Sequence, residues 1–307
     1  MVSTGSTASK IGFLGVGAIG RPIAERMLAE TPFVVCDADA DALAALRGRA
    51  ETTRSAAELG DMADIVFACL PSLAAHERAL LDGEQGVIAG RRIRGLVQVG
   101  TTGPDLARRI AARLGERGVA MVDAPVTGGV PRARAGTLTV IASGDTSLFA
   151  ECEALIRTFA SDVVFISEQP GSAQTMKLIN NLLSATNLAI GCEALVLGAK
   201  AGFDAWKMLE VLNTGTGQNS ATLTKIPNHV VPRSFDYGGR MELICKDLKA
   251  LIAEAEALGV PMPLASLIEE TYRLAAESGF EREDMTTIVR PMEAAAGIEV
   301  GAKTPRP

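Results

Sequence analysis

A glycine-spaced turn sets the terms for the first half of this chain. Lys10 to Leu14 has the apolar character of a short strand, Gly15-Val16-Gly17-Ala18-Ile19-Gly20 follows at once, and a helical stretch runs on to Glu30. In a G-x-G-x-x-G turn between strand and helix, each glycine has its own task. The first permits the tight turn, the second lets a ligand approach the backbone, and the third lets the helix pack on the sheet. The helix N-terminus then offers N–H groups and a partial positive charge to a phosphate. Pro22 falls in the first turn, where proline is tolerated.

The next strand, Phe33 to Cys36, ends at Asp37. An acidic side chain about 20 residues past the glycines can accept hydrogen bonds from adenosine ribose hydroxyls and repels a 2′-phosphate. Together these features imply dinucleotide binding through Gly15, Gly17, Ala18, Ile19, Gly20 and Asp37, with NAD favoured over NADP. Asp39 and Asp41 add to the negative field or cap the following helix.

Strands and helices continue to alternate, with further strands at Asp64–Leu70, Ile93–Val99, Val119–Val122, Leu138–Ala142 and Val163–Ile166. The pattern predicts a doubly wound, parallel α/β sheet of the Rossmann type over residues 10–170. Ligands of such sheets lie off the carboxyl ends of the strands, which places Leu70, Pro71 and Thr101 along a cofactor crevice. After the Val119–Val122 strand comes Asp123-Ala124-Pro125-Val126-Thr127-Gly128-Gly129. Its glycine pair is either an ordinary tight turn or a cradle of backbone N–H groups for a carboxylate.

Beyond residue 170 the strand signals stop. Gly171 to Ala201 reads as one long helix with Ser172 as N-cap, and helices follow at Asp204–Leu212, Lys246–Leu258, Ala265–Ser278 and Met285–Ala296. Residues 171–300 therefore read as a long linking helix and an all-α domain. Residues 1–9 and 301–307 read as tails, and the polar Asn213–Ser220 segment as a loop able to close over a ligand. Lys177 stands at the edge of an apolar run in which Glu193 is the only charge from Leu178 to Ala199. Asn181 lies four residues on and shares its face. A half-buried lysine gives up its proton more easily and suits acid–base work; the plainer reading is a cation snorkelling to the surface. Lys246 reads as opening a helix, where the dipole does not favour a cation. That implies an anionic neighbour, either a ligand or simply Asp247 or Glu242.

Composition excludes several classes. The chain has 307 residues, a net charge of −6 and 4% aromatic residues, which disfavour nucleic acid and anionic membranes as partners. The arginines at 91, 92, 94, 108, 109 and 113 look like solvated faces rather than an RNA-binding stripe. Asn180, Asn181, Asn187 and Glu193 interrupt the long apolar helix, so burial between domains or subunits explains it better than a membrane. Five scattered cysteines without a CxxC pair, two distant histidines and the lack of an apolar leader predict a reduced cytoplasmic protein with no metal site.

In this order the motifs resemble the β-hydroxyacid dehydrogenase family, which includes 3-hydroxyisobutyrate dehydrogenases and tartronate semialdehyde reductases. The resemblance runs from about Lys10 to Ala296, through Gly15–Gly20, Asp123–Gly129, Gly171–Asn181 and Lys246-Asp247-Leu248. It implies NAD-dependent hydride transfer to or from a small β-hydroxy acid. Lys177 becomes the catalytic acid/base and Asn181 its partner holding substrate. Thr127, Gly128 and Gly129 bind the substrate carboxylate, while Leu70, Pro71, Thr101 and Lys246 contact the cofactor. The resemblance also assigns substrate binding and oligomerisation to the all-α domain, and implies a homodimer or homotetramer. Thr127 stands where the family commonly has serine; its hydroxyl is kept but the added methyl reshapes the pocket, leaving the hydroxy acid unnamed. The alternatives are an imine or ketone reductase on the same fold, whose members generally lack the lysine, and a non-catalytic, dinucleotide-gated binding protein.

Overall fold

The computed structural model describes residues 9–301, so the tails at 1–8 and 302–307 lie outside the described residues. Ser9 is anchored, its hydroxyl donating to Glu151 Oε1 at 2.7 Å. The chain forms two compact units that divide after Lys177, inside the long helix.

The first unit is built on a nine-stranded sheet: β1 (Ile11–Leu14), β2 (Val34–Cys36), β3 (Glu51–Thr53), β4 (Ile65–Ala68), β5 (Gly95–Gln98), β6 (Ala120–Asp123), β7 (Val126–Thr127), β8 (Leu138–Gly144) and β9 (Ala160–Ser167). The order is β3-β2-β1-β4-β5-β6-β8-β7, with β9 on the other side of β8. Side chains alternate between two cores. Phe13, Ile65, Phe67, Val97 and Val122 face one layer of helices, while Leu14, Val66, Ala68, Leu96 and Met121 face the other. Alternation with both sides apolar is what a sheet covered by helices on both faces requires.

The strands from β1 to β6 pair in parallel, but β8 runs antiparallel to β6 and β7. The all-parallel expectation fails there because the chain leaving β6 continues into β7, itself antiparallel to β8, and only the short helix Gly129–Ala135 lies between β7 and β8. One consequence bears on the site: Gln98 is in register with Asp123, and Asp123 with Ser143.

The second unit is helical. It comprises the long helix Ser172–Lys200 from Leu178 onward, then Ala205–Thr214, Ala221–Val230, Met241–Ala257, Pro263–Ala275 and Val289–Ala296. Tyr272 is fully buried, its hydroxyl donating to Ala185 O at 3.0 Å. Ala221–Val230 is wound as a π-helix and carries Pro227 inside it. The polar 213–220 segment is tied down at both ends: Asn213 Nδ2 donates to Thr222 O at 3.0 Å, and Asn219 Oδ1 accepts from the Ala221 N–H at 2.9 Å.

Two sequence readings of helix starts need correction. The Thr175 N–H donates to Gly171 O, so Gly171 occupies the N-cap position and Ser172 lies inside the helix. The capping hydroxyl comes from Ser143, which accepts from the Ala173 N–H at 3.0 Å. Lys246 sits in the second turn of Met241–Ala257 and not in a first turn. Burial of Met241 starts that helix earlier, and the dipole argument for an anion beside Lys246 falls away.

Candidate active site

The strand order reverses between β1 and β4, the point off whose carboxyl ends sheets of this kind take their ligands. Gly15 takes φ +93°, and a β-carbon there would meet Cys69 O at 2.3 Å. One on Gly20 would meet Gly15 O at 2.0 Å, whereas Gly17 has open space around it. The helix Gly20–Leu28 begins with no side-chain cap and no acidic residue in its first turn. Tight packing at the outer glycines, clear space at the middle one and an uncapped helix start fit a dinucleotide pyrophosphate.

Asp37 closes this turn from β2. Its Oδ2 accepts from the Val16 N–H at 2.7 Å and its Oδ1 from the Asp39 N–H at 2.9 Å. A carboxylate held by two amides keeps further lone pairs for ribose hydroxyls. Leu70 and Pro71 follow β4, and Leu70 Cδ2 lies against Gly15. Thr101 follows β5, so these predicted cofactor residues share one edge of the sheet.

Beside β6, Thr127 ends β7 and the glycine pair starts the next helix. Gly128 has φ +131° and Gly129 φ +70°, values that leave glycine as the ready choice at both.

The start of the long helix is fastened to the same edge by Gln174. Its Oε1 accepts from the Thr102 and Gly103 N–H groups at 2.9 and 3.1 Å. Its Nε2 donates to Gly100 O at 3.0 Å and Asp123 Oδ1 at 2.6 Å. Asp123 is fully buried, and burial pushes its carboxyl up to about 7 against the lowering effect of Gln174. Lys177 follows three residues after Gln174 and is only 8% exposed, which counts against the snorkelling reading.

In the second unit, Asn181 Nδ2 donates to Asp247 Oδ2 at 2.7 Å, and Lys246 Nζ lies 3.1 Å from Asp247 Oδ1. Asp247 therefore links two predicted site residues; as the neighbour of Lys246 it is the anion the sequence offered besides a ligand, but its bond to Asn181 was not foreseen. Gln174, Asp123 and Ser143 had no role of their own in the sequence reading. Their visible signal was slight: a glutamine inside an apolar helix start, and polar residues ending apolar strands. Among the described residues no cluster of histidine, cysteine or carboxylate side chains could hold a metal ion.

Two family models match the chain. One, described as the NAD binding domain of 6-phosphogluconate dehydrogenase, matches residues 10–167. The other, described as NAD-binding of NADP-dependent 3-hydroxyisobutyrate dehydrogenase, matches residues 171–292. A 3-hydroxyisobutyrate dehydrogenase of Pseudomonas aeruginosa is 32% identical over 90% of this chain and 95% of its own length. The 2-(hydroxymethyl)glutarate dehydrogenase of Eubacterium barkeri is 29% identical, covering 95% of this chain and 97% of its own. Among solved structures, the 3-hydroxyisobutyrate dehydrogenase of Mycobacterium tuberculosis with L-serine superposes with a TM-score of 0.82. It is 26% identical and covers 92% of this chain and 99% of its own.

Proposed function

The chain belongs to the β-hydroxyacid dehydrogenase family, and from that premise we propose how its residues divide the work. It is an NAD-dependent oxidoreductase acting on the CH–OH group of a small hydroxy acid. When bound, the nicotinamide supplies the hydride acceptor for oxidation and the donor for reduction. Lys177 takes the hydroxyl proton in oxidation and returns one to the carbonyl oxygen in reduction. Asn181, held by Asp247, orients the same oxygen from one turn further along the helix. Thr127, Gly128 and Gly129 receive the substrate carboxylate on backbone N–H groups and a hydroxyl. Asp37 holds the adenosine ribose, and Leu70, Pro71, Thr101 and Lys246 complete the cofactor contacts.

The observation that carries this reading is the shelter of Lys177, with the helix that bears it anchored to the carboxyl ends of β5 and β6. A sheltered amine exchanges protons with an alcohol oxygen more readily than a solvated one. A non-catalytic relative would have no need of such an amine, and imine reductases on this fold generally lack it.

The test is steady-state kinetics over small β-hydroxy acids, including hydroxyisobutyrate, glycerate, threonate and aryl analogues, each with NAD and NADP. Turnover with at least one acid is expected, with higher kcat/KM for NAD. A clear NADP preference would show that Asp37 had been misread, and fluorescence quenching by NADH without turnover on any acid would remove the enzymatic reading.

The assembly is proposed to be a homodimer or homotetramer in the cytoplasm. Met176, Leu183, Ile190 and Leu197, spaced by seven, form an exposed apolar stripe on the long helix, with Ile179 beside it. A contiguous stripe of that kind marks an interaction face. Its spacing is symmetric about the helix midpoint, so an antiparallel second copy sets Met176 against Leu197 and Leu183 against Ile190. Light scattering should give an oligomer that Leu183→Glu with Ile190→Glu weakens; a wild-type monomer at micromolar concentration would refute the assignment.

A further inference from the structure

Three buried polar side chains stand side by side where the strands β5, β6 and β8 end. Gln98, Asp123 and Ser143 end or nearly end β5, β6 and β8, stand in mutual register, and are each 0% exposed. In-register neighbours share one face of the sheet, with their backbones about 5 Å apart. The row meets the start of the long helix. Ser143 Oγ takes the Ala173 N–H, and Asp123 Oδ1 takes the Gln174 amide.

Two atoms of the row have no hydrogen-bond partner: Asp123 Oδ2 and Gln98 Oε1. Both are acceptors, and a buried acceptor left unpaired is destabilising. Register sets the two side chains beside one another on one face of the sheet, where one proton shared between these oxygens would satisfy both. We propose that Asp123 carries that proton on Oδ2, donates it to Gln98 Oε1, and through this neutral pairing fixes Gln174 and the direction of Lys177. The proposal rests on Lys177 being the reactive amine.

The alternative charge state is poorly supported by the surroundings. No neighbouring cation acts on Asp123; the groups that favour its ionised form are the Gln174 amide and the N–H groups of Gln174 and Gly171, and burial outweighs them. Among the described residues, other ionisable groups close to the row are His76, whose Nε2 would lie 2.9 Å from a β-carbon added at Gly100, Arg108, whose Cγ would lie 3.2 Å from one added at Gly171, and Lys177, three residues after Gln174. Asp123 is thus a positioning residue: it acts through Gln174, three residues before Lys177. Displacement of a catalytic group by about 1 Å can cost a hundredfold in rate.

The sign of the pH effect separates this role from that of Lys177. In the oxidation direction a lysine base makes kcat rise with pH. Loss of the Asp123 proton, whose ionisation lies at about 7, makes kcat fall above neutrality. The experiment compares wild type, Asp123→Asn and Asp123→Leu by pH profiles of kcat, NADH binding and pH-difference infrared spectra. Asp123→Leu is expected to lose about a hundredfold in kcat with NADH affinity within about threefold. Asp123→Asn, which keeps a donor and an acceptor, should recover about tenfold of that loss and lack the fall above neutrality. Infrared spectra should show a buried protonated carboxyl at pH 6 that is absent from Asp123→Asn.

Absence of that carboxyl band, or a fall that persists in Asp123→Asn, would overturn the proposal and favour an ionised Asp123 facing the amide of a flipped Gln98. Should no hydroxy acid turn over, the infrared result still decides the proton, and the rate at which an acylating reagent labels Lys177 in wild type and Asp123→Asn decides the coupling. An unchanged labelling rate would then sink it.

Discussion

Lys177→Ala should lower kcat by about a thousandfold, within the range that positioned acid–base groups contribute, while NADH affinity stays within about threefold. The separation follows from where the residue stands. Lys177 lies beyond Gln174 on the long helix, whereas the glycine turn, Asp37 and Leu70 make their contacts through the sheet edge. Alanine is a good helix former, so the backbone survives the change. Lys177→Arg should be nearly as inactive, because a guanidinium keeps the charge but does not give up its proton near neutrality. Stopped-flow NADH binding and single-turnover hydride transfer measure the two halves separately. An alanine variant with wild-type kcat at saturating substrate would take Lys177 out of the chemistry.

How far the sequence foretells this site depends on the range of the interactions that build it. The glycine turn is legible because its demands are local: φ +93° at Gly15 and the contact of Gly20 with Gly15 O lie within six residues. The two-faced sheet is legible because β1, β4, β5 and β6 are apolar at successive positions, as strands covered on both sides must be. Lys177 stands out as a cation where the helix tolerates almost none. Its support does not stand out. Gln174 reaches residues 51 and 74 positions away, and Asn181 meets Asp247 across 66. No local pattern marks a glutamine that will find four partners. The helix start at Met241 was hidden for another reason: Arg240 provides no side-chain cap, so burial of Met241 sets the start. The π-helix at Ala221–Val230 was concealed by Pro227, which interrupts the usual helical pattern.

That π-helix carries Lys225, and Lys225→Met should stabilise the protein at pH 7 by about 1–3 kcal/mol. Lys225 is 4% exposed, and its ammonium donates to Ser184 Oγ at 2.5 Å and stands 5.1 Å from the centre of the Tyr237 ring. These partners do not make up for lost water. Burial lowers the lysine from 10.5 to about 8, against an opposing pull from Asp284. A folded value below the unfolded one means that the unfolded chain holds more protons between the two, so stability rises with pH across that window. A shift of this size corresponds to about 3 kcal/mol, partly offset because methionine can neither donate to Ser184 nor place a charge over the Tyr237 ring. The advantage of Lys225→Met should therefore be largest below pH 8 and shrink towards pH 10, where the wild-type lysine is already neutral when folded. Urea midpoints of both proteins at pH 7 and pH 9.5 measure it, the difference between them cancelling the titration of every other group. A gap that stays constant with pH, or a methionine variant less stable than wild type at pH 7, would mean that the ammonium is better solvated than its burial implies.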